Sequence, residues 1–278
     1  MTVLTPAGQL PGDAVLLDVR WALGDPHGRE QYLAGHLPGA VFVDLETELA
    51  APPSAAEGRH PLPSVQALQS SARRWGLEDD SRVVVYDATG GLAAARAWWM
   101  LRWGGMGGAG GVGSVTILDG GLAAWTAAGG HLETGEIVPT PGRITLTGGG
   151  MPVLTADEAA ALAAGDGVLL DARAAERYRG EFEPVDARAG HVPGAVSAPT
   201  TENLDPAGRF RTAAVLSERF AAVGVLPGTT VGVYCGSGVT AAHEVAALAE
   251  AGIEAALWPG SWSQWSADPE RPVVTGGA

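Results

Sequence analysis

Thr230 to His243 reads TVGVYCGSGVTAAH. Val231 to Tyr234 form an apolar run of the length of a buried strand, Cys235 to Gly238 a glycine-rich turn, and the residues from about Val239 the start of a helix. Cys235 is the only cysteine among 278 residues. The same succession occurs earlier in RVVVYDATGGLAAAR, Arg82 to Arg96, with Asp87 at the place of the cysteine. Three further matches keep the same order around it. VLLDVR (Val15 to Arg20) pairs with VLLDAR (Val168 to Arg173), GHLPGAV (Gly35 to Val41) with GHVPGAV (Gly190 to Val196), and DGGLAAW (Asp119 to Trp125) with PGSWSQW (Pro259 to Trp265). A repeat this long is two copies of one domain rather than a solenoid.

Each copy alternates short apolar runs with helical patterns. AVLLDV, VVVYDA and VTILDG in the first half, and GVLLDA, VGVYC and EAALWP in the second, read as strands. Ala93 to Trp103 and Thr240 to Ala251 read as helices, the latter stopped by Gly252. Alternating strands and helices predict an α/β fold of two tandem domains, each a parallel sheet flanked by helices. The expected division is a non-catalytic domain over 1–130, a Gly-, Pro- and Thr-rich linker over 131–150, and a catalytic domain over 151–278. Ligands of such sheets bind at the carboxyl ends of the strands, where Cys235 stands.

The formal net charge of −14 excludes a phosphate backbone as the natural partner, so no nucleic acid is expected. All seventeen basic residues are arginine, so positive charge in a site comes from Arg, His or backbone dipoles. No apolar run is long enough for a bilayer and the first residues lack signal-peptide character, which predicts a cytoplasmic protein without a membrane partner. One cysteine leaves the redox compartment open.

Glycines at 236 and 238 let the backbone aim N–H groups inward, and such a nest ahead of a helix stabilises an anion. A thiolate held there is a populated nucleophile. A lone cysteine is more commonly an inert core residue, but its strand-end, glycine-rich setting favours the reactive reading. Asp87 cannot perform thiol chemistry, so only the second copy carries a nucleophile. A phosphatase loop needs Cys, five residues and then Arg; the sixth residue after Cys235 is Ala241. A cysteine hydrolase with a distant His remains open.

The ordered motifs LLDAR, GHVPGA and YCGSGVTAAH followed by PGSWSQW resemble the tandem rhodanese-domain sulfurtransferases, over nearly the whole chain. The loop CGSGVT is similar to that of the 3-mercaptopyruvate branch; thiosulfate enzymes typically carry basic residues where Gly236 and Ser237 stand. The resemblance implies a Cys235 persulfide, filled by a small anionic donor and emptied by cyanide or a thiol acceptor such as thioredoxin, with no cofactor. It implies backbone N–H groups of Gly236, Ser237, Gly238, Val239 and Thr240 around the sulfur. It places the donor's carboxylate against Arg177. A second arginine commonly follows Glu-Pro; here Val185 holds that place, leaving Arg179 and Arg188 as candidates. A relay of Ser237, His60 and Glu46, spanning both copies, is implied by motif position. A thiosulfate sulfurtransferase, or a persulfide carrier without turnover, are the alternatives.

Other features have plainer readings. His36 and His191 occupy duplicated turn positions and read as structural, and no metal-ligand spacing is present. Asp18 and Asp171 read as loop braces, His243 as packing or capping its helix, and Trp98, Trp99 and Trp103 as core or domain interface. Trp262 reads equally as a wall of the site or as core.

Overall fold

The computed structural model describes residues 2–107 and 113–277. Two all-parallel sheets are present. The first runs in the order β1-β5-β4-β2-β3, built from Leu4–Thr5 (β1), Val15–Asp18 (β2), Val41–Phe42 (β3), Arg82–Tyr86 (β4) and Ser114–Leu118 (β5). The second runs β7-β6-β8-β9, from Val168–Asp171 (β6), Val196–Ser197 (β7), Val231–Tyr234 (β8) and Ala256–Leu257 (β9). The registers repeat as well: Asp18 lies opposite Tyr86, and Asp171 opposite Tyr234.

The helices of the first half are Gly28–Ala34 (α1), Leu45–Glu48 (α2), Val65–Arg74 (α3), Ala94–Trp103 (α4) and Gly121–Ala127 (α5). Those of the second are Ala156–Ala164 (α6), Ala175–Tyr178 (α7), Ala213–Ala222 (α8), Thr240–Glu250 (α9) and Ser261–Ala267 (α10). Among the described residues no helix is long and apolar enough to cross a membrane.

The repeated motifs are stitched to one another, which is why they recur together. Asp171 ends β6 and accepts from Arg173 Nη2 at 2.6 Å; the same guanidinium donates to Gly190 O of the GHVPGA turn at 2.7 Å. The hydroxyl of Tyr234, last residue of β8, accepts from Val192 N at 3.3 Å in that turn. In the first half Asp18, Arg20, Gly35, Tyr86 and Leu37 make the corresponding bonds. The two aspartates therefore brace loops through their arginines. His36 and His191 brace the same turns, stacking on Tyr32 and Tyr178 and bonding Leu37 O and Tyr178 O.

The halves meet at α4 and α9, which pack face to face and share one continuous apolar core. Ala94, Ala97 and Trp98 on α4, and Ala241, Ala242 and Val245 on α9, are all buried. Small residues let the two helix backbones approach, so the carboxyl end of β8 opens against the first half. Residues 131–150 are not a loose tether. Glu133 exchanges backbone hydrogen bonds with His36, Ile144 N donates to Leu77 O, and the side chains of Ile144 and Leu146 are buried.

Candidate active site

Cys235 follows directly on β8 and is buried. Its N–H donates to Ser261 Oγ at 3.1 Å, and its carbonyl accepts from Trp262 N at 3.0 Å. Ser261 is the one non-glycine residue with positive φ among the described residues, at 52°. That strained backbone aims its hydroxyl at the cysteine. The turn then curls back, and Gly238 N–H donates to Cys235 Sγ at 3.1 Å. Gly238 has φ of +77°, and a Cβ there would lie 2.5 Å from Pro259 O, so only glycine fits. The helix α9 begins two residues later, and its N-terminal dipole favours negative charge on the sulfur.

Ser237, His60 and Glu46 come together at this turn. Ser237 Oγ lies 2.7 Å from His60 Nδ1, and His60 Nε2 lies 3.1 Å from Glu46 Oε2. A carboxylate only accepts, so Nε2 carries the proton and Nδ1 accepts from the serine hydroxyl. Glu46 Oε1 is fixed in turn by the Trp21 indole N–H at 2.7 Å, and Trp21 meets the His60 ring edge-on. Burial holds His60 below the ordinary imidazole value; the nearby Glu46 opposes that shift, and Arg96 and Arg59 add to it.

The guanidinium of Arg177 stands over the same turn. It binds Glu183 Oε1 at 2.7 Å and Asp186 Oδ2 at 3.2 Å through Nη2. A methyl group built on Gly236 would lie 3.4 Å from Arg177 Nη1 and 3.0 Å from Arg59 Nη2. Cys235, Gly236, Ser237, Val239 and Thr240 line a cavity of about 200 Å³, with Arg59, Arg177, Trp21, Leu92 and Thr89 opposite. An open groove of about 720 Å³ adjoins it and shares Trp21, Leu23 and Arg59.

Two arginines named from the sequence stand elsewhere. Arg179 turns outward onto Glu181 at 2.7 Å. Arg188 spends its guanidinium on the carbonyls of Trp265, Ser266, Asp268 and Arg271, where it caps the end of α10. Neither lines the cavity, so the carboxylate-binding part expected of them does not match their placement. Trp262 is fully buried, lies 4.6 Å under Arg173 and donates to Arg188 O, which is core packing.

Sequence reasoning passed over Arg59, Trp21, Ser261 and Arg96. Arg96 is fully buried on α4, reaching Gly238 O at 3.0 Å, His60 O at 2.9 Å and Leu49 O at 3.2 Å. It has no carboxylate partner among the described residues. Burial pulls it down to about 10, opposed by the negative charge of Cys235. Its repeat partner His243 is pushed down by burial to about 3, bonds Thr200 and stacks on Phe210.

At the matching place in the first half the cradle is already filled. The Asp87 carboxylate accepts from the backbone N–H groups of Thr89, Gly91, Ala93 and Ala94 at 2.8–3.0 Å. The duplicated loop thus turns backbone N–H groups on a side chain in both copies: four on the Asp87 carboxylate, and that of Gly238 on the Cys235 sulfur.

The rhodanese-like domain model matches residues 7–128 and again 155–268. The chain belongs to the rhodanese family. A relative from Mycobacterium tuberculosis, named for thiosulfate sulfur transfer (SseB), is 51% identical over 96% of this chain and 93% of its own. One from Pseudomonas aeruginosa, named for 3-mercaptopyruvate sulfur transfer, is 47% identical over 95% of this chain and 93% of its own. The crystal structure of SseA from Escherichia coli, described as a 3-mercaptopyruvate sulfotransferase, superposes with a TM-score of 0.82 at 32% identity, covering 95% of this chain and all of that one. This rhodanese is a sulfurtransferase of two tandem α/β domains, moving sulfur from a donor to an acceptor.

Proposed function

We propose that the donor is 3-mercaptopyruvate, that Cys235 carries the sulfur as a persulfide, and that cyanide or a thiol such as thioredoxin removes it. The observation that carries this reading is the Ser237–His60–Glu46 chain beside Cys235. When the Cys235 thiolate attacks the donor's sulfur, an S–S bond forms and the S–C bond breaks. The bonding pair leaves with carbon as pyruvate enolate, which needs a proton. His60, neutral at the start, takes the Cys235 thiol proton through Ser237 as the thiolate forms and returns it through Ser237 to the enolate carbon. The thiol proton of Cys235 balances the account, and pyruvate leaves. A nucleophilic acceptor then takes the outer sulfur, and the inner sulfur departs as thiolate.

Sulfite leaving from thiosulfate needs no such proton and carries two charges. The charges around the site do not favour it. Above the Cys235 turn, Arg59, Arg173 and Arg177 are matched by Asp171, Glu183 and Asp186, while Arg96 is spent on carbonyls beneath it. A balanced cluster holds a monoanion by directed N–H groups but offers little to a dianion.

Steady-state kinetics with both donors under one set of conditions tests the reading. Higher kcat/KM is expected with mercaptopyruvate, and Ser237→Ala should depress that donor alone. A preference for thiosulfate, as in the name of the Mycobacterium tuberculosis relative, would overturn the donor assignment.

A further inference from the structure

We infer that Arg59, supplied by the first half, is the second guanidinium that binds the donor's carboxylate. This rests on the mercaptopyruvate reading above and names the residue that takes the place left empty at Val185. Val185 itself is exposed and does not line the cavity at Cys235.

The delivery of Arg59 is built into the chain. Gly58 has φ of +91°, and a Cβ on it would lie 2.6 Å from Gly260 O, so glycine alone lets the segment press against the start of α10. Arg59 N–H then anchors on Ser263 Oγ at 3.1 Å. Two successive side chains enter the second half from this contact: His60 reaches Ser237, and Arg59 reaches over Gly236.

The donors left over point at the nucleophile's turn. Arg59 pairs through Nη1 with Asp186, which also accepts from Arg177 Nη2. One internal carboxylate thus bridges both guanidinia and fixes their spacing. Arg59 Nε is buried without a partner among the described residues. Arg59 Nη2 and Arg177 Nη1 both lie over Gly236, and neither bonds a described residue. Two charged donors on one side of a small cavity, beside a nucleophile and otherwise unused, suit a single carboxylate. A side chain at Gly236 would crowd these two guanidinium ends.

The experiment compares Arg59→Gln and Arg59→Lys with Arg177→Gln. It reads kcat and KM for mercaptopyruvate and the inhibition constant of pyruvate, the product that keeps the carboxylate. Thermal melting confirms folding. Arg59→Gln should raise KM and the pyruvate constant together by about tenfold or more, with a smaller change in kcat. Arg59→Lys should fall between, because it keeps the charge and loses the fork. If Arg59→Gln does not fold, Arg59→Lys decides, and an unchanged KM and pyruvate constant in it overturn the proposal, as they do in a folded Arg59→Gln.

Calorimetric pyruvate binding to Cys235→Ser separates the two readings. If mercaptopyruvate is not turned over but pyruvate binds and Arg59→Gln abolishes the binding, the donor assignment fails and Arg59 stands. If the otherwise native site binds no pyruvate, Arg59 falls too.

Discussion

Ser237 Oγ and His60 Nδ1 stand 2.7 Å apart, although 177 positions separate them in the chain. The bond crosses from the Cys235 turn to the first half. It forms only because α4 and α9 share a core that seals the halves together. On the proposed mechanism the first domain, which holds no cysteine, contributes His60, Glu46 and the guanidinia of Arg59 and Arg96.

The proposed relay carries a pH dependence whose sign follows from burial. His60 lies below the ordinary imidazole value of about 6.5. Its neutral form accepts from Ser237, and protonation removes that acceptor. With mercaptopyruvate, kcat/KM should stay flat as pH falls through the ordinary value and drop only at more acid pH. His60→Ala should lose about a hundredfold or more at neutral pH and lose that acid limb. An acid limb that persists unchanged in His60→Ala would assign it to another group. The same shift stabilises the fold above the ordinary imidazole value, and that contribution is lost as pH falls through the lower folded one.

Arg96 joins three carbonyls from the two halves, two of them beside the reacting groups. Arg96→Met leaves those carbonyls unpartnered and should cost about 2–4 kcal/mol in chemical denaturation. It should also slow alkylation of Cys235 by iodoacetamide at neutral pH, because the buried cation bound to Gly238 O of the Cys235 turn is gone. Arg96→Lys should recover most of the alkylation rate. A wild-type rate in a folded Arg96→Met would reduce this residue to a structural tie.

Asp87 is predicted to matter for stability and not for chemistry. Four backbone N–H groups lose their acceptor in Asp87→Ala, so the melting transition should drop by the equivalent of about 2–4 kcal/mol. Turnover measured well below that transition should stay within about twofold of wild type. A collapse of turnover in folded protein would mean that the first loop acts on the reaction.

Much of the fold was legible because buried parallel strands are continuous apolar runs, as in Val83 to Tyr86 and Val231 to Tyr234. The two-residue strands β1, β3 and β7 were not, since unlike β9 in EAALWP they were not picked out as apolar runs. The composition of 131–150 suggested a tether, yet Ile144 and Leu146 are core residues whose anchoring depends on α3 and the turn after it.

The site divided along the same line. Cys235, Ser237, His60, Glu46 and Arg177 carry motif positions, and the fold brings them to one place. Arg188 was named for lying near the expected position in sequence, but the carbonyls at the end of α10 claim its guanidinium. Arg59 sits next to His60 and went unnoticed, because only the docking of Gly58 on Gly260 shows which half it serves. Arg96 lacked any signal: a buried cation without a carboxylate is visible only once the two halves are packed.

Whether Cys235 carries the sulfur is read most directly from the intact mass of the protein after brief exposure to mercaptopyruvate and removal of small molecules. Wild-type protein should gain one sulfur atom, located to Cys235, lost again on adding cyanide with release of thiocyanate, and absent from Cys235→Ser. No added sulfur on the wild type, or the same gain in Cys235→Ser, would contradict sulfur transfer through Cys235.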